Sequence, residues 1–256
     1  MAEFGPTYKQ EDDIEVYGRK FPSFSRREIH PAISRVMADF PRGTLLDMPT
    51  GAGALAWRLH NEGFQVTGGD LFPKYFKNPE IMVVGADLNR RFPFDDGSFD
   101  YACFVEGPEH VENVFFCFRE FARILKPNGT IILSIPNYSN LQNRLKELLY
   151  GTPESVVTKE QLVSEYNDDS HMIHINRVRF PELKMALELT GFKISSLHID
   201  KVKSGQRLLW PLAALIRLIT YIRGKDGEKK YGMRENNSEP VLMGGNTLII
   251  TARLAA

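Results

Sequence analysis

The segment Leu45-Leu46-Asp47-Met48-Pro49-Thr50-Gly51-Ala52-Gly53 constrains the fold more than any other. Thr44 to Met48 is apolar and short, as a buried strand is. Ala54 to Glu62 follows as a helix, with Leu55 and Leu59 one turn apart and Gly63 as its stop. A strand that enters a helix through a glycine-rich turn opens a βαβ unit. Glycines in that turn let a ligand approach the backbone, because no Cβ intervenes. The helix N-terminus behind them offers unpaired N–H groups.

Alternation continues downstream. Strands are expected at Phe64 to Thr67, Ile81 to Val84, Phe99 to Val105 and Thr130 to Ile135, then at Lys193 to Val202 and Asn246 to Leu254. With Thr44 to Met48 the sum is seven. Helices are expected over 27–40, with Ile29, Ile33, Val36 and Met37 on one face, and along Val114, Phe118, Phe121 and Leu125, closed by Pro127-Asn128-Gly129. Two more run from Leu141 to Tyr150 and from Pro181 to Thr190. This is an α/β chain with parallel βαβ units, right-handed crossovers and helices on both faces of the sheet. Residues 1–256 are expected to form one domain. Residues 1–26 are polar and weakly periodic and read as an N-terminal loop or lid. Residues 203–243 read as a helical insertion before the last strand.

Asp70 lies about 20 residues beyond the glycine turn, at the end of the second strand. An acid there is placed to accept hydrogen bonds from ribose hydroxyls. Asp87 repeats the arrangement at the end of the third strand. The plainer account is a tight strand-to-helix turn and an unrelated surface acid; the register of the acid weighs against it. Nicotinamide dinucleotides and S-adenosylmethionine (SAM) both carry a ribose. A dinucleotide turn usually reads G-x-G-x-x-G to seat a pyrophosphate. Here Pro49 precedes Gly51-Ala52-Gly53 and position 56 is Ala56, which favours SAM.

In these residues the chain resembles the class I SAM-dependent methyltransferases, whose Rossmann-like sheet has seven strands. It departs from their usual acid-then-G-x-G-x-G pattern by carrying Pro49 at the first glycine. The resemblance implies that Asp47, Pro49, Thr50, Gly51 and Gly53 surround the methionine part of SAM. It implies that Asp70, with Leu71, meets the ribose, that Asp87 and Leu88 recognise adenine, and that Glu106 faces the cofactor. Three more segments fit the family: Phe92-Pro93-Phe94-Asp95-Asp96-Gly97-Ser98-Phe99-Asp100, Leu125-Lys126-Pro127-Asn128-Gly129, and His174 with Phe180 to Phe192. The match covers about 43–203 and resumes at 244–254. Each motif is weak alone; their order and spacing make the set specific.

Methyl transfer from a sulfonium is an in-line displacement, and a hydroxyl acceptor needs a base. Glu106-Gly107-Pro108-Glu109-His110 follows the fourth strand and is expected to enter a helix with Pro108 early in it. His110, whose ordinary pKa suits neutral pH, is the first candidate base, with Glu109 beside it. A structural histidine is the competing account. Glu106, Glu109 and His110 stand at i, i+3 and i+4 and converge if the helix begins early. That E-x-x-E-H pattern also resembles the divalent-metal site of some RNA 3′-end and ubiquinone-pathway O-methyltransferases, with His171 or His174 as a later ligand. The principal reading assigns no metal.

Ser134 to Leu145 resembles an element of methyltransferases from glycan and cell-envelope pathways, with Asn137 and Tyr138 toward the acceptor. A strand exit and a capped helix with a solvated Arg144 explain it equally well. Leu208 to Ile222 is apolar, holds Trp210 and Tyr221, and is flanked by Arg207 and Arg223. It is shorter than the roughly 18 residues of a spanning helix. Core or subunit packing is the default, peripheral membrane contact through 208–222 the second reading, and an apolar acceptor pocket the third. Residues 224–239 are charged and read as a loop.

Lys plus Arg balance Asp plus Glu, 32 against 32, which argues against a nucleic-acid partner held by bulk positive charge. Cys103 and Cys117 form no metal motif and read as buried reduced thiols. Without a basic-then-apolar leader, a cytoplasmic chain is expected. The whole points to a methyltransferase that places the methyl group on an oxygen of a sugar, lipid-linked or small-molecule acceptor. The alternatives are a metal-dependent enzyme for RNA ends or quinone-type phenols, and a non-catalytic SAM-binding partner subunit.

Overall fold

The computed structural model describes residues 13–22, 25–166, 173–201 and 204–255. In chain order the elements are β1 (Ile14–Val16), β2 (Arg19–Phe21), α1 (Ile29–Met37), β3 (Thr44–Asp47), α2 (Ala54–Asn61) and β4 (Gln65–Asp70). Then come β5 (Val83–Gly85), β6 (Phe99–Val105), α3 (Val114–Ile124), β7 (Leu125–Pro136), α4 (Leu141–Tyr150), α5 (Lys159–Tyr166) and α6 (Phe180–Leu189). The chain closes with β8 (Phe192–Ile199), α7 (Trp210–Tyr231), α8 (Met233–Asn236), α9 (Glu239–Leu242) and β9 (Thr247–Leu254).

All seven expected strands form one sheet, in the order β5-β4-β3-β6-β7-β9-β8. The first five pair in parallel, and β9 runs antiparallel between β7 and β8. The order reverses at β3 and β6, and the carboxyl ends of those strands are where sheets of this kind bind ligands. Side chains alternate across the sheet. Leu45, Cys103 and Ile132 pack with Ile33, Met37, Leu55 and Leu59 on the α1–α2 face. Leu46, Phe104, Ile131 and Leu133 pack with Phe118, Phe121, Leu183 and Leu187 on the α3–α6 face. Strands buried on both faces read as apolar runs, which is why they were visible in the sequence. Cys103 and Cys117 are buried free thiols.

Four expectations need correction. The described part of 1–26 holds an antiparallel hairpin rather than a loop. Tyr17 and Gly18 both take positive φ, 45° and 76°, as a two-residue hairpin turn requires. Val16 and Phe21 are buried, and the Trp57 indole donates to the Val16 carbonyl at 3.1 Å. Second, α3 stops at Ile124 and Leu125 opens β7. Pro127-Asn128-Gly129 lies inside that strand as a bulge, where pairing jumps from Phe99↔Leu125 to Tyr101↔Thr130. Third, the charged stretch after residue 224 is helical through α7, α8 and α9. Val241 and Leu242 anchor it in the core, while Gly224 at φ 49° breaks α7 into two limbs. Fourth, Arg144 is fastened rather than solvated. Its Nε donates to Ser139 O at 2.7 Å and its Nη1 to Asn237 Oδ1 at 2.8 Å.

Candidate active site

The glycine turn is held by its own acids. Thr50 donates its hydroxyl to Asp47 Oδ2 at 2.9 Å. Gly51 N–H donates to Asp70 Oδ2 and Phe72 N–H to Asp70 Oδ1, both at 2.8 Å. Each carboxylate oxygen retains lone-pair capacity for a ligand hydroxyl. Burial raises the Asp70 pKa above the ordinary range. Gly53, at φ 93°, begins α2; a Cβ there would stand 2.6 Å from the Phe76 ring. The Met48–Pro49 peptide in this turn is cis.

Asp47 is buried, and its Oδ1 has no hydrogen-bond partner. Burial pushes its pKa up to about 7; the Thr50 hydroxyl lowers it, and the charge of Asp70 raises it. An orphaned buried carboxylate beside bare backbone suits an ammonium group. These acceptor oxygens fit the ammonium group at the amino-acid end of SAM. Asp87 follows β5 on the neighbouring strand. Its Oδ1 accepts Asn89 N–H at 2.8 Å, and its Oδ2 lies 3.3 Å from Arg90 Nε. Leu88 packs against the core, and Leu71 is exposed.

A second group of side chains gathers at the ends of β6 and β7. Glu106 takes φ 48°, a left-handed conformation that costs a non-glycine residue of order 1 kcal/mol. A reciprocal pair holds it there: Glu106 N–H donates to Ser134 Oγ at 3.0 Å, and the Ser134 hydroxyl donates to Glu106 Oε1 at 2.9 Å. Gly107 is required, because a Cβ would fall 2.1 Å from the Phe104 ring. Pro108–His110 is a single 3-10 turn and not the start of a helix. The chain extends at Val111, and α3 begins at Val114, where Asn113 Oδ1 accepts Phe116 N–H at 2.9 Å. The expected helical convergence of Glu106, Glu109 and His110 is therefore replaced by a different arrangement.

In that arrangement Glu109 and His110 meet His174, each offering one ligand atom within 4.8 Å of the others. Glu109 is buried and neither carboxylate oxygen has a hydrogen-bond partner. Burial, then the charge of Glu106, raise its pKa well above the ordinary range. His110 Nδ1 lies 3.0 Å from the Ile173 carbonyl, so it carries a proton and Nε2 is the basic nitrogen. His174 Nδ1 lies 3.0 Å from the Tyr138 hydroxyl and 3.3 Å from Glu154 Oε2. Tyr138 and Arg177 both donate to Glu154 Oε1, at 2.9 and 3.1 Å. The two imidazole rings meet edge to face, centroids 5.1 Å apart. A buried carboxylate without donors and two imidazoles held at Nδ1 also fit a hard or borderline divalent cation.

The structure thus joins Asp47, Thr50, Gly51 and Asp70 in one bonded unit and Glu109, His110 and His174 in another. Glu106 binds Ser134 and reaches the second unit through charge alone. His171 lies outside the described residues. Asn137 holds α9, its Nδ2 donating to Val241 O at 3.1 Å. Glu154, Arg177 and Phe76 carry no local motif, since their partners stand far away in the chain; Ser134 opens the family-like 134–145 element, but its bond to Glu106 is not marked there.

A seven-stranded sheet of this order, with a glycine turn and acids at successive strand ends, is the fold of the SAM-dependent methyltransferases. The methyltransferase-domain family pattern matches residues 21–197, and the chain belongs to that family. Its fold is similar to a SAM-dependent methyltransferase from Archaeoglobus fulgidus, with a TM-score of 0.57 at 18% identity over 90% of this chain and 94% of that one. Among curated proteins it is similar to the ubiquinone biosynthesis O-methyltransferase of Xanthomonas campestris pv. campestris (strain B100). The identity is 30% over 106 residues, 38% of this chain and 44% of that protein. The demethylmenaquinone methyltransferase of Chlorobaculum tepidum is 34% identical over 100 residues, 36% of this chain and 40% of that one. The matches span less than half the length of these curated relatives.

Proposed function

We propose that this chain transfers a methyl group from SAM to an oxygen of a small-molecule, sugar or lipid-linked acceptor. The observation that carries the reading is the Glu109–His110–His174 cluster at the carboxyl end of the sheet that also bears the glycine turn. When bound, SAM supplies an electrophilic methyl on a sulfonium. Asp47 meets its ammonium group, Asp70 the ribose hydroxyls, and Asp87 with Leu88 the adenine. Glu106 faces the cofactor from the end of β6. His110, with its tautomer set by the Ile173 carbonyl, takes the proton of the acceptor hydroxyl at Nε2. Glu109, which burial keeps protonated beside a neutral imidazole, can ionise against the imidazolium that forms within 4.8 Å of it. The name of the Xanthomonas relative, an O-methyltransferase, supports an oxygen acceptor.

A second reading rests on the two orphaned oxygens of Glu109. Glu109, His110 and His174 would hold a divalent cation, with Glu154 and Ile173 O orienting the imidazoles from behind. The cation would supply a Lewis acid for a hydroxyl acceptor. Transfer of labelled methyl from SAM, with and without exhaustive chelation, separates the readings. Loss on chelation and recovery with added magnesium or manganese favours the cation. Full activity in chelator leaves His110 as the base. No transfer despite SAM binding points to a non-catalytic subunit.

A further inference from the structure

The first limb of α7 carries two apolar stripes where a surface helix in water carries one. The inner stripe, Leu212, Ala213 and Ile216, packs with Leu141 and Leu242. The outer stripe is Leu215, Leu218, Ile219 and Ile222, at i, i+3, i+4 and i+7. These four side chains are 51%, 53%, 44% and 71% exposed. Leu208, Trp210 and Tyr221, before and within the same limb, are also exposed. Contiguous exposed apolar surface of this kind marks an interaction site.

Charge decides what covers it. Arg207 is exposed before the helix and Arg223 at the end of its first limb, while Arg217 on the limb is paired with Glu239; beyond the break at Gly224, Lys225, Lys229 and Lys230 are exposed against Asp226 and Glu228. An exposed arginine therefore flanks the stripe at each end, Arg207 before it and Arg223 after it. Two copies packed stripe to stripe, parallel or antiparallel, would set these arginines against one another. Anionic headgroups neutralise both ends at once. Trp210 and Tyr221 are the side chains that settle at a bilayer surface, apolar in body and polar at the tip. The limb 210–223 is only roughly 20 Å long. No helix among the described residues is long and apolar enough to cross a membrane.

We infer that the outer face of α7 docks into the surface of an anionic phospholipid bilayer, with its axis in the membrane plane. The inference does not depend on which acceptor is methylated.

Flotation of the full chain with vesicles tests it. Vesicles of phosphatidylcholine with phosphatidylglycerol should carry the protein up the gradient, and pure phosphatidylcholine should carry at least about tenfold less. The double variant Leu218→Glu/Ile222→Glu should stay at the bottom while keeping its melting curve and SAM binding. Should that variant fail to fold, Arg207→Gln/Arg223→Gln, which touches no core, should lower anionic-vesicle binding several-fold. Trp210 fluorescence should shift to the blue on adding anionic vesicles and lose that shift in Trp210→Phe, since Trp57 is already buried. The inference is overturned by absence of flotation with either vesicle. It is equally overturned by binding that the variants leave unchanged, or by a solution dimer that Leu218→Glu/Ile222→Glu dissolves.

Discussion

Asp70 reaches back from the end of β4 to accept the Gly51 amide at 2.8 Å, so the acid assigned to the ribose also sets the shape of the glycine turn. Its other oxygen accepts the Phe72 amide. Removing it should therefore weaken both stability and cofactor binding. Asp70→Ala is expected to cost about 1–3 kcal/mol of unfolding free energy through the two orphaned amides, and to weaken SAM binding at least tenfold. Asp70→Asn, which keeps one acceptor oxygen, should fall between. Urea unfolding and calorimetric titration with SAM measure the two effects. An Ala variant that keeps full affinity contradicts the assignment.

Asp47 gives the pocket a pH signature. In the folded chain it keeps its proton up to about pH 7, against an ordinary value of 3.8. Between those values the folded state binds more protons than the unfolded state. This contribution to stability therefore falls as pH rises through the window and levels off above about 7. Asp47→Asn should remove that slope, so its stability relative to wild type should be higher at pH 8 than at pH 5. SAM binding should tighten in wild type from pH 6 to pH 8, as the carboxyl ionises to meet the ammonium group. The variant should bind weakly and without that pH dependence.

His110 and Glu109 should separate chemistry from binding. His110→Ala is expected to lower turnover about 100-fold or more, within the usual range for a general base, and to change SAM affinity by less than a few-fold. Turnover within a few-fold of wild type would remove His110 as the base. Glu154→Gln acts at one remove, through His174. If His174 is a ligand, the variant should raise the concentration of cation needed for half-maximal activity by about 10–100-fold.

Arg144 ties α4 to the segment ahead of β9 through Ser139, Asn236 and Asn237. Arg144→Ala should cost about 1.5–3 kcal/mol, because part-buried oxygens of Ser139, Asn236 and Asn237 lose a charged donor. Amide exchange should quicken at residues 233–242 before it does in β6 or β7. Uniform quickening across the sheet would mean that the arginine does not act locally.

The sheet was legible because its strands are apolar runs between punctuating glycines, and the turn acids stand in sequence register with them. The hairpin at Ile14–Phe21 was not, since three-residue strands are shorter than any periodicity. Helix beyond Gly224 was hidden by its charges, and only Val241 and Leu242, folded under, reveal why it is ordered. The Glu106–His110 segment stands out by its composition, but its geometry does not follow from its spacing. Pro108 suits a 3-10 turn as well as an α-helical one, and only Asn113 fixes where α3 begins. The His174–Glu154–Tyr138 network joins three segments that no spacing rule connects.

The most direct test of the account is transfer of labelled methyl from SAM into fractionated cell extract, by wild type and by Glu109→Gln at saturating SAM. The account predicts label in a lipid, polysaccharide or small-molecule fraction with wild type and a loss of at least about tenfold with the variant. Label in no fraction, or label undiminished in Glu109→Gln, would contradict it.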